Sequence, residues 1–222
     1  MRQRKVKNRD AICEACAAWI AEDPKKRKGR WREAFADPSL PLHVEIGSGK
    51  GRFICEMARL HPEINFLAVE GGAKINVRIL QKAKDYNLSN LLVIMSYIED
   101  ARDFFAAGEL DRIYLNFSDP WPKARNAKRR LTHRSKLAAY EACAAPGALL
   151  QFKTDNDGLF AFSLDEIRSR GLLIRWVTKD LHHSPYAARN VETEYEQKFS
   201  AKGKSINCLQ AVLSRKGGKN GC

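Results

Sequence analysis

Short apolar runs alternate with stretches of helical periodicity along most of the chain. A helix that packs on a core repeats its apolar side chains three and four positions apart, whereas a buried strand is a short apolar run between turn residues. These patterns predict strands over residues 42–46, 65–69, 91–95, 110–117 and 148–153, and helices over residues 52–61, 73–86, 99–107, 134–145 and 160–170. Strands that alternate with helices form a parallel sheet with helices on both faces, so the pattern predicts a doubly wound α/β fold.

The alternation stops after residue 170. Residues 173–179 and 206–214 predict two more strands with no helical stretch between them, which favours a terminal antiparallel pair. The segment between these strands includes residues 193–198, whose polar and aromatic composition predicts a loop. We therefore expect seven strands in a mostly parallel sheet with an antiparallel strand near the C-terminus.

The composition is that of an ordinary globular protein. Of the 222 residues, 44% are hydrophobic and 29% are charged, with 14 glycines and 8 prolines, which excludes collagen-like and low-complexity chains. The first residues are charged, so we expect no signal peptide. Nowhere do 18 apolar residues follow one another, so we expect no membrane span. Six irregularly spaced cysteines are typical of reduced thiols, and His182-His183 lacks a third ligand nearby, so no metal site is expected. We expect a cytoplasmic protein with no membrane partner.

Positive charge is concentrated in two segments. The formal net charge is +13, from 39 Lys and Arg residues against 26 Asp and Glu residues. Residues 1–32 carry eleven basic and four acidic side chains, and residues 123–136 carry seven basic side chains and no acidic one. Lys and Arg side chains gain affinity for phosphates through counterion release. The pattern therefore favours a nucleic acid as partner over a solvated basic surface or a membrane.

A glycine-rich turn, V-E-I-G-S-G-K-G-R-F, follows the first predicted strand. Between a strand and a helix, such a turn lets backbone N–H groups approach a nucleotide closely. Glu70 ends the second predicted strand, where it can accept hydrogen bonds from ribose hydroxyls. Glu45 precedes Gly47 and Gly49, and a carboxylate there favours a cation. S-adenosylmethionine carries a sulfonium and an ammonium group and no phosphate, so we favour it over NAD.

Two further polar segments follow predicted strands. The fourth strand ends in residues 116–123, N-F-S-D-P-W-P-K, which face the glycine turn in a doubly wound sheet. The basic run K-A-R-N-A-K-R-R begins at Lys123, next to Trp121, and aromatic rings beside basic groups are typical of RNA binding. Asp155 follows the fifth strand, where it either reaches the same edge of the sheet or caps the next helix.

These motifs together resemble one family, the bacterial tRNA (guanine-N7)-methyltransferases. The resemblance rests on F-S-D-P-W-P-K-A-R-N-A-K-R-R-L and is reinforced by E-I-G-S-G-K-G-R-F, K-T-D-N and T-E-Y-E-Q-K-F in the expected order, over nearly the whole chain. It implies the Rossmann-like class I methyltransferase fold and methyl transfer from S-adenosylmethionine to N7 of the variable-loop guanine, position 46, of tRNA. We accordingly predict a basic arm over residues 1–40, a methyltransferase domain over residues 41–215 and a tail over residues 216–222, in a monomer or a homodimer.

The glycine turn and the resemblance together imply roles for individual residues. Cofactor contacts are expected at Glu45, Gly47, Gly49, Glu70, Tyr97 and Asp119. Substrate contacts are expected at Lys123, Asp155, Thr193, Glu194, Tyr195 and Glu196, and RNA contacts at Arg125, Lys128, Arg129 and Arg130. Three positions depart from the family pattern: Tyr97 replaces a common Asp, Ala124 a Lys or Arg, and Asn126 a His.

The chemistry of the attacked atom predicts a direct displacement. Guanine N7 has a free lone pair and no proton, so it needs no general base, and alignment of N7, methyl carbon and sulfur matters most. The product base is cationic, so the predicted catalytic residues are carboxylates that stabilise this charge, Asp119 or Asp155. Three alternatives stay open: an RNA-binding protein without activity, an NAD-dependent dehydrogenase, and a methyltransferase for another RNA, a small molecule or a protein.

Overall fold

The computed structural model describes residues 8–201 and 203–213, in which there are seven strands and six α-helices. The strands are β1 (Leu42–Ile46), β2 (Asn65–Val69), β3 (Leu91–Ile94), β4 (Leu110–Asn116), β5 (Ala144–Thr154), β6 (Leu173–Thr178) and β7 (Asn207–Val212). The helices are α1 (Arg9–Ala15), α2 (Arg52–Leu60), α3 (Asn76–Asp85), α4 (Arg134–Cys143), α5 (Asp157–Ser169) and α6 (Glu194–Ser200). None of these helices is long and apolar enough to cross a lipid bilayer.

All seven strands belong to one sheet, in the order β3-β2-β1-β4-β5-β7-β6. Strands β1 to β5 are parallel, whereas β7 is antiparallel to both β5 and β6. The predicted antiparallel pair is thereby confirmed. The strand order reverses between β1 and β4, so the loops after these two strands border a crevice at the carboxyl edge of the sheet, where ligands of doubly wound sheets bind.

Two apolar layers hold the helices on the sheet. On one face, α4 and α5 pack over the sheet in a core that contains Leu150 and Phe152. On the other face, α2 and α3 bury Phe53, Ile54 and Ile79 against β2 and β3. The buried side chains of α2 recur three and four positions apart, and this periodicity is why the sequence predicts the helix.

The described part of the predicted basic arm packs along the sheet. Ile20 forms an isolated parallel bridge with Val93 of β3. Trp31 is completely buried, and its indole N–H donates to the carbonyl of Phe104 at 2.8 Å while its backbone N–H donates to Oε1 of Glu109 at 3.0 Å. The basic residues among positions 1–7 and the predicted tail over residues 216–222 lie outside the described residues. The predicted domain boundaries stay predictions.

Two predictions of secondary structure are wrong. The helix expected over residues 99–107 is a 3₁₀ turn, Ala101–Asp103, because the Asp100 side chain accepts the N–H of Arg102 and closes a tight local turn. The loop expected over residues 193–198 lies largely in α6, which a capping box between Thr193 and Glu196 starts. The buried side of α6 carries the Glu196 carboxylate in place of an apolar stripe, so hydrophobic periodicity does not reveal this helix.

Candidate active site

The turn after β1 is open toward the crevice. Gly47 donates its N–H to the carbonyl of Val69 at 2.9 Å, which ties the turn to the end of β2. The Glu70 carboxylate accepts the N–H of Gly49 at 3.0 Å and that of Gly72 at 2.7 Å, so its position at the mouth of the crevice is fixed. Apart from the adjoining residues of the chain, no atom of the described residues lies within 4 Å of where Cβ atoms on Gly47 and Gly49 would stand. A ligand can therefore lie directly against this backbone.

The glycines of this turn differ in how much a side chain would cost. Gly49 and Gly51 both have left-handed backbones, with φ of +55° and +81°. A Cβ on Gly51 would lie 2.8 Å from Cγ1 of Ile79 in α3, whereas one on Gly49 would meet no other described residue within 4 Å beyond its chain neighbours. We expect Gly49→Ala to lower the free energy of unfolding by about 1–2 kcal/mol through backbone strain. Gly51→Ala should lose a further ~1–3 kcal/mol through overpacking. Urea unfolding of both variants measures the difference, and equal losses would contradict the close approach of Gly51 to α3.

Glu45 is buried beneath this turn. It is 1% exposed, and its Oε1 accepts a hydrogen bond from Nδ2 of Asn116 at 2.7 Å. Among the described residues, neither Oε2 of Glu45 nor Oδ1 of Asn116 has a hydrogen-bond partner. Burial raises the pKa of Glu45 to about 7, although the bond from Asn116 and the charge of Lys153 act in the opposite direction. A cation in the crevice would satisfy Oε2 and favour the ionised carboxylate.

A cavity of about 490 Å³ lies between the ends of β1, β2 and β4. It contains four of the predicted cofactor residues, Gly47, Glu70, Tyr97 and Asp119. Tyr97 is 73% exposed, and its ring lies so close over Gly71 that a Cβ there would come within 2.4 Å of it. The remaining wall includes the apolar side chains of Ile46, Ile75 and Ile98. This cavity suits a ligand with a flat apolar body and polar edges.

The loop after β4 has a strained backbone. Phe117 and Trp121 have φ of +51° and +40°, which bulky side chains rarely adopt. The N–H of Phe117 donates to the Lys153 carbonyl of β5 at 2.9 Å. The Arg130 guanidinium donates to the carbonyls of residues 120 and 121 at 3.1 and 3.0 Å. These bonds hold the loop in place and keep Asp119 at the first cavity.

The basic segment after this loop contains a 3₁₀ helix, Ala124–Arg129. Arg125 and Lys128 are exposed, and their side chains have no partner among the described residues. Arg129 lies 4.7 Å from the Trp121 ring and lines the first cavity. Arg130 is half-buried, with its guanidinium 4.3 Å from the Phe162 ring. Arg130 therefore supports the loop, and its contact with RNA stays a prediction.

A second cavity, of about 300 Å³, adjoins the first and shares Gly47 and Phe117 with it. Besides Gly47, it contains five predicted site residues, Glu45, Gly49, Thr193, Glu194 and Tyr195. Tyr195 is 42% exposed, and its ring lies 5.1 Å from the ring of Phe117. The Glu194 carboxylate accepts from Nζ of Lys82 at 2.6 Å and from the N–H of Arg52 at 3.3 Å. Glu194 thereby fixes the start of α6 to α2 and α3, and Tyr195 is left facing the crevice.

Glu196 lies on the buried side of α6 and lines neither cavity. Glu196 and Lys153 are completely buried, with 2.6 Å between Oε2 and Nζ. Glu196 also hydrogen-bonds to His182 and Asn190, at 2.9 and 2.6 Å, and Lys153 donates to the Val191 carbonyl at 2.9 Å. Burial alone would raise the pKa of Glu196, but Lys153 and these hydrogen bonds outweigh it and hold the pKa below its usual range. This network ties α6 to β5.

Asp155 lies just after β5, beside Tyr195. Its Oδ2 accepts from the hydroxyl of Tyr195 at 3.3 Å and from Nζ of Lys204 at 2.7 Å. The N-cap of α5 is Asn156, whose side chain accepts the N–H of Leu159 at 2.8 Å. Of the two positions expected for Asp155, the structure therefore excludes the helix cap. Lys123 is exposed at the start of the basic segment and lines neither cavity.

Comparison with known proteins identifies the family of this chain. The family model described as "Putative methyltransferase" matches residues 39–209. A tRNA (guanine-N(7)-)-methyltransferase of Limosilactobacillus reuteri (strain DSM 20016) is 45% identical over 211 residues, which are 95% of this chain and 99% of the relative. The protein of the same name from Lactiplantibacillus plantarum is 50% identical over 184 residues, 83% of this chain and 86% of the relative. The chain belongs to the tRNA (guanine-N(7)-)-methyltransferase family.

Solved structures of other methyltransferases share the fold of this tRNA (guanine-N(7)-)-methyltransferase family member. The 16S rRNA methyltransferase KamB has a TM-score of 0.59 and 13% identity, over 96% of this chain and 95% of that one. A 16S rRNA (adenine(1408)-N(1))-methyltransferase from Catenulisporales acidiphilia, solved with its cosubstrate SAM, has a TM-score of 0.51 and 18% identity, over 100% of this chain and 96% of that one. The predicted class I methyltransferase fold is confirmed.

One group of side chains in this methyltransferase has potential metal ligands. Single atoms of His182, Glu192 and Glu196 lie within 4.8 Å of one another. The sequence hides this group because Glu192 and Glu196 approach His182 only in the fold. Lys153 holds its ammonium group 2.6 Å from Glu196 and repels a second cation there. We interpret the group as part of the hydrogen-bond network under α6.

Sequence reasoning placed Asn116 and Lys153 in polar segments at the site but assigned no individual role to them or to Asn190. Asn116 holds Glu45, and Lys153 and Asn190 hold Glu196. Asn116 and Lys153 lie at or near the last position of a buried strand, where a polar side chain has to find a partner. This polar ending is the signal that could have revealed them. Asn190 lies between elements and offers no such pattern.

Proposed function

We propose that this chain transfers the methyl group of S-adenosylmethionine to N7 of the guanine at position 46 in the variable loop of tRNA. The observation that carries the proposal is the junction of the two cavities at Gly47 and Phe117. The first cavity has an acidic rim and an apolar wall, and the second opens beside the exposed ring of Tyr195. The relatives' names support the same reaction.

The residues around the crevice fit S-adenosylmethionine. Oε2 of Glu45 and Oδ1 of Asn116 belong to residues that line the second cavity, close in sequence to the shared residues of the junction. Both buried oxygens lack partners among the described residues, and the ammonium group of a cofactor that extends from the first cavity to this junction has donors for both. Glu70 suits the ribose hydroxyls, and the apolar wall beneath Tyr97 suits the adenine ring. The open space above the glycine turn leaves room for the ligand against the backbone. When bound, the cofactor supplies an electrophilic methyl carbon on a sulfonium.

The reaction needs no general base from the protein. Guanine N7 uses its own lone pair to form the bond to the methyl carbon as the bond from carbon to sulfur breaks, and no proton moves. The task of the chain is therefore alignment and charge stabilisation. Tyr195 offers an exposed ring on which a base can stack, and Asp155 or Asp119 provides negative charge for the cationic product.

The basic segment supplies phosphate contacts in this proposal. Lys123, Arg125 and Lys128 are exposed and suit the tRNA backbone, and Arg129 lies at the entrance of the first cavity. Glu196 is a positioning residue, since it acts through the placement of α6. A tRNA substrate is consistent with action in the cytoplasm, and we keep a monomer or a homodimer as the expected assembly.

Transfer of radiolabelled methyl groups from S-adenosylmethionine to unmodified tRNA transcripts tests the proposal. We expect the label in 7-methylguanosine, and no label in a transcript whose variable-loop guanine is replaced by adenine. Equal label in both transcripts would contradict the assignment to position 46. No label in either transcript, with cofactor binding seen by calorimetry, would contradict tRNA as the substrate.

A further inference from the structure

A polar groove outside the proposed active site lies on the sheet face next to α2. Two cavities, of about 590 and 310 Å³, have Arg112, Gln151, Arg189 and Asn190 in common and so form one groove. We call it the arginine groove. Its floor includes Arg112 of β4, Gln151 of β5 and Gln210 of β7, polar side chains where a covered sheet face would be apolar.

Three guanidinium groups line the arginine groove: Arg112, Arg175 and Arg189. Arg112 donates to the Tyr114 hydroxyl at 3.4 Å and lies 5.7 Å from its ring. Within residues 8–201 and 203–213, none of the three has a carboxylate partner, and no Asp or Glu lines either cavity. Three like charges at one groove repel each other unless an anion lies between them. The groove is therefore complementary to an anionic ligand.

An aromatic pair adjoins these charges. The rings of Trp176 and Tyr186 are stacked, with 3.9 Å between their centroids and 13° between their planes, and both line the groove. Trp176 follows Arg175 directly in β6. Aromatic surfaces beside guanidinium groups are typical of sites that hold RNA. This combination favours a nucleic acid over a free inorganic anion or an acidic protein.

The arginine groove ends close to the second cavity of the proposed active site. Asn190 lines the groove and Thr193 lines the second cavity. Three residues of extended chain span at most about 11 Å, so the two sites are neighbours. An RNA that places one base in the second cavity has its next phosphates on the surrounding surface, within reach of this groove.

We propose that the arginine groove binds the phosphodiester backbone of tRNA, away from the methylated guanine. The inference rests on the proposed function, because it assumes that tRNA occupies the second cavity. It adds an RNA contact that is separate from the basic segment, since no residue of Ala124–Arg129 lines the groove. The charge excess of residues 1–32 and 123–136 gave no indication of this surface.

Removal of the two exposed guanidinium groups tests the proposal. Arg175→Gln and Arg189→Gln, singly and together, leave the buried core untouched because both side chains are exposed. Arg168→Gln is the matched control, since Arg168 is exposed on α5, which covers the other face of the sheet. The affinity for tRNA is measured by fluorescence anisotropy over a series of salt concentrations, and cofactor binding by calorimetry.

Each single groove variant should bind tRNA about fivefold more weakly near 0.15 M salt. The slope of log affinity against log salt concentration should be smaller in magnitude by about 0.9 in each single variant, and by about twice that amount in the double variant. We expect Arg168→Gln to keep the wild-type slope and all variants to keep cofactor affinity. The proposal is overturned if the double variant keeps the wild-type slope, or if Arg168→Gln lowers the slope equally, since charge alone then explains the loss.

These readouts separate the groove from the proposed function. The binding experiment requires no methyl transfer, so wild-type protein that binds tRNA without methylating it overturns the activity while the salt slopes still decide on the groove. Wild-type protein that methylates tRNA, together with unchanged slopes in the double variant, overturns the groove alone. Wild-type protein that binds no tRNA overturns both.

Discussion

At pH 8, Glu45→Gln is expected to raise the free energy of unfolding of the cofactor-free protein by about 3 kcal/mol. Burial raises the pKa of Glu45 from 4.5 to about 7. Between these two values the folded protein keeps a proton that the unfolded chain has released, so wild-type stability falls as the pH rises from about 4.5 to 7. Gln carries no charge to desolvate and escapes this loss. At pH 5 the gain should shrink to below about 1 kcal/mol.

The same change should weaken binding of S-adenosylmethionine. A hydrogen bond between two charged groups is worth about 1.5–3 kcal/mol, so we expect a loss of roughly 10- to 100-fold in affinity. Urea unfolding at pH 5 and pH 8 and calorimetric titration with the cofactor measure both effects. A stability change that is the same at the two pH values would contradict the burial of an ionisable Glu45.

Glu166→Gln provides a control of opposite sign. Glu166 is also buried, but hydrogen bonds from Arg134 hold the pKa of its carboxyl below the usual range. The folded protein therefore releases the Glu166 proton before the unfolded chain does, and the ionised carboxylate stabilises the fold above the unfolded pKa. Glu166→Gln should lower stability at pH 8, where Glu45→Gln raises it.

Lys153→Met should lower the free energy of unfolding by about 3–5 kcal/mol, because it leaves the Glu196 carboxylate buried and without its cation. Lys153 makes three hydrogen bonds, to Glu196, Asn190 and Val191. Without the Lys153 ammonium group, α6 also loses a hydrogen bond to β5, and α6 is the helix that places Glu194 and Tyr195 at the second cavity. We expect methyl transfer to fall through a higher KM for tRNA, while affinity for S-adenosylmethionine at the other side of the crevice changes less.

A double-mutant cycle separates the pair from the packing around it. In Lys153→Met/Glu196→Met no charge stays buried, and apolar replacement of a buried ion pair is often neutral or stabilising. The double variant should therefore be more stable than Lys153→Met alone, by about 1–3 kcal/mol. If the two single losses simply add, the ion pair is not what holds α6 on β5. Methyl transfer by the double variant shows whether α6 keeps its place without the charges.

The elements that are predictable from the sequence are those with an apolar face. β1 and β2 begin and end at the predicted residues, since each is a short buried run between turns. Glu70 and Asp119 reach one cavity because both follow parallel strands next to the reversal of strand order, and this rule needs only the order of the elements.

Other parts of the site depend on partners far apart in the sequence. Lys153 and Glu196 are 43 residues apart, and neither belongs to a pattern that shows that they meet. The buried side of α6 carries a carboxylate, so apolar periodicity predicts a loop there. The capping-box spacing of Thr193 and Glu196 was its one local signal. Arg112 is likewise hidden within an ordinary strand, and its neighbours in the groove come from two other elements.

The position of β7 between β5 and β6 governs the order in which the molecule can be assembled. The ribosome makes β5, then β6 and α6, and only afterwards the strand that joins β5 to β6. Until β7 is in place, β6 has no neighbour in the sheet and β5 is an open edge. The nascent chain can therefore form its glycine turn and first cavity early, whereas β6 joins the sheet only when synthesis has passed the end of β7 at residue 212.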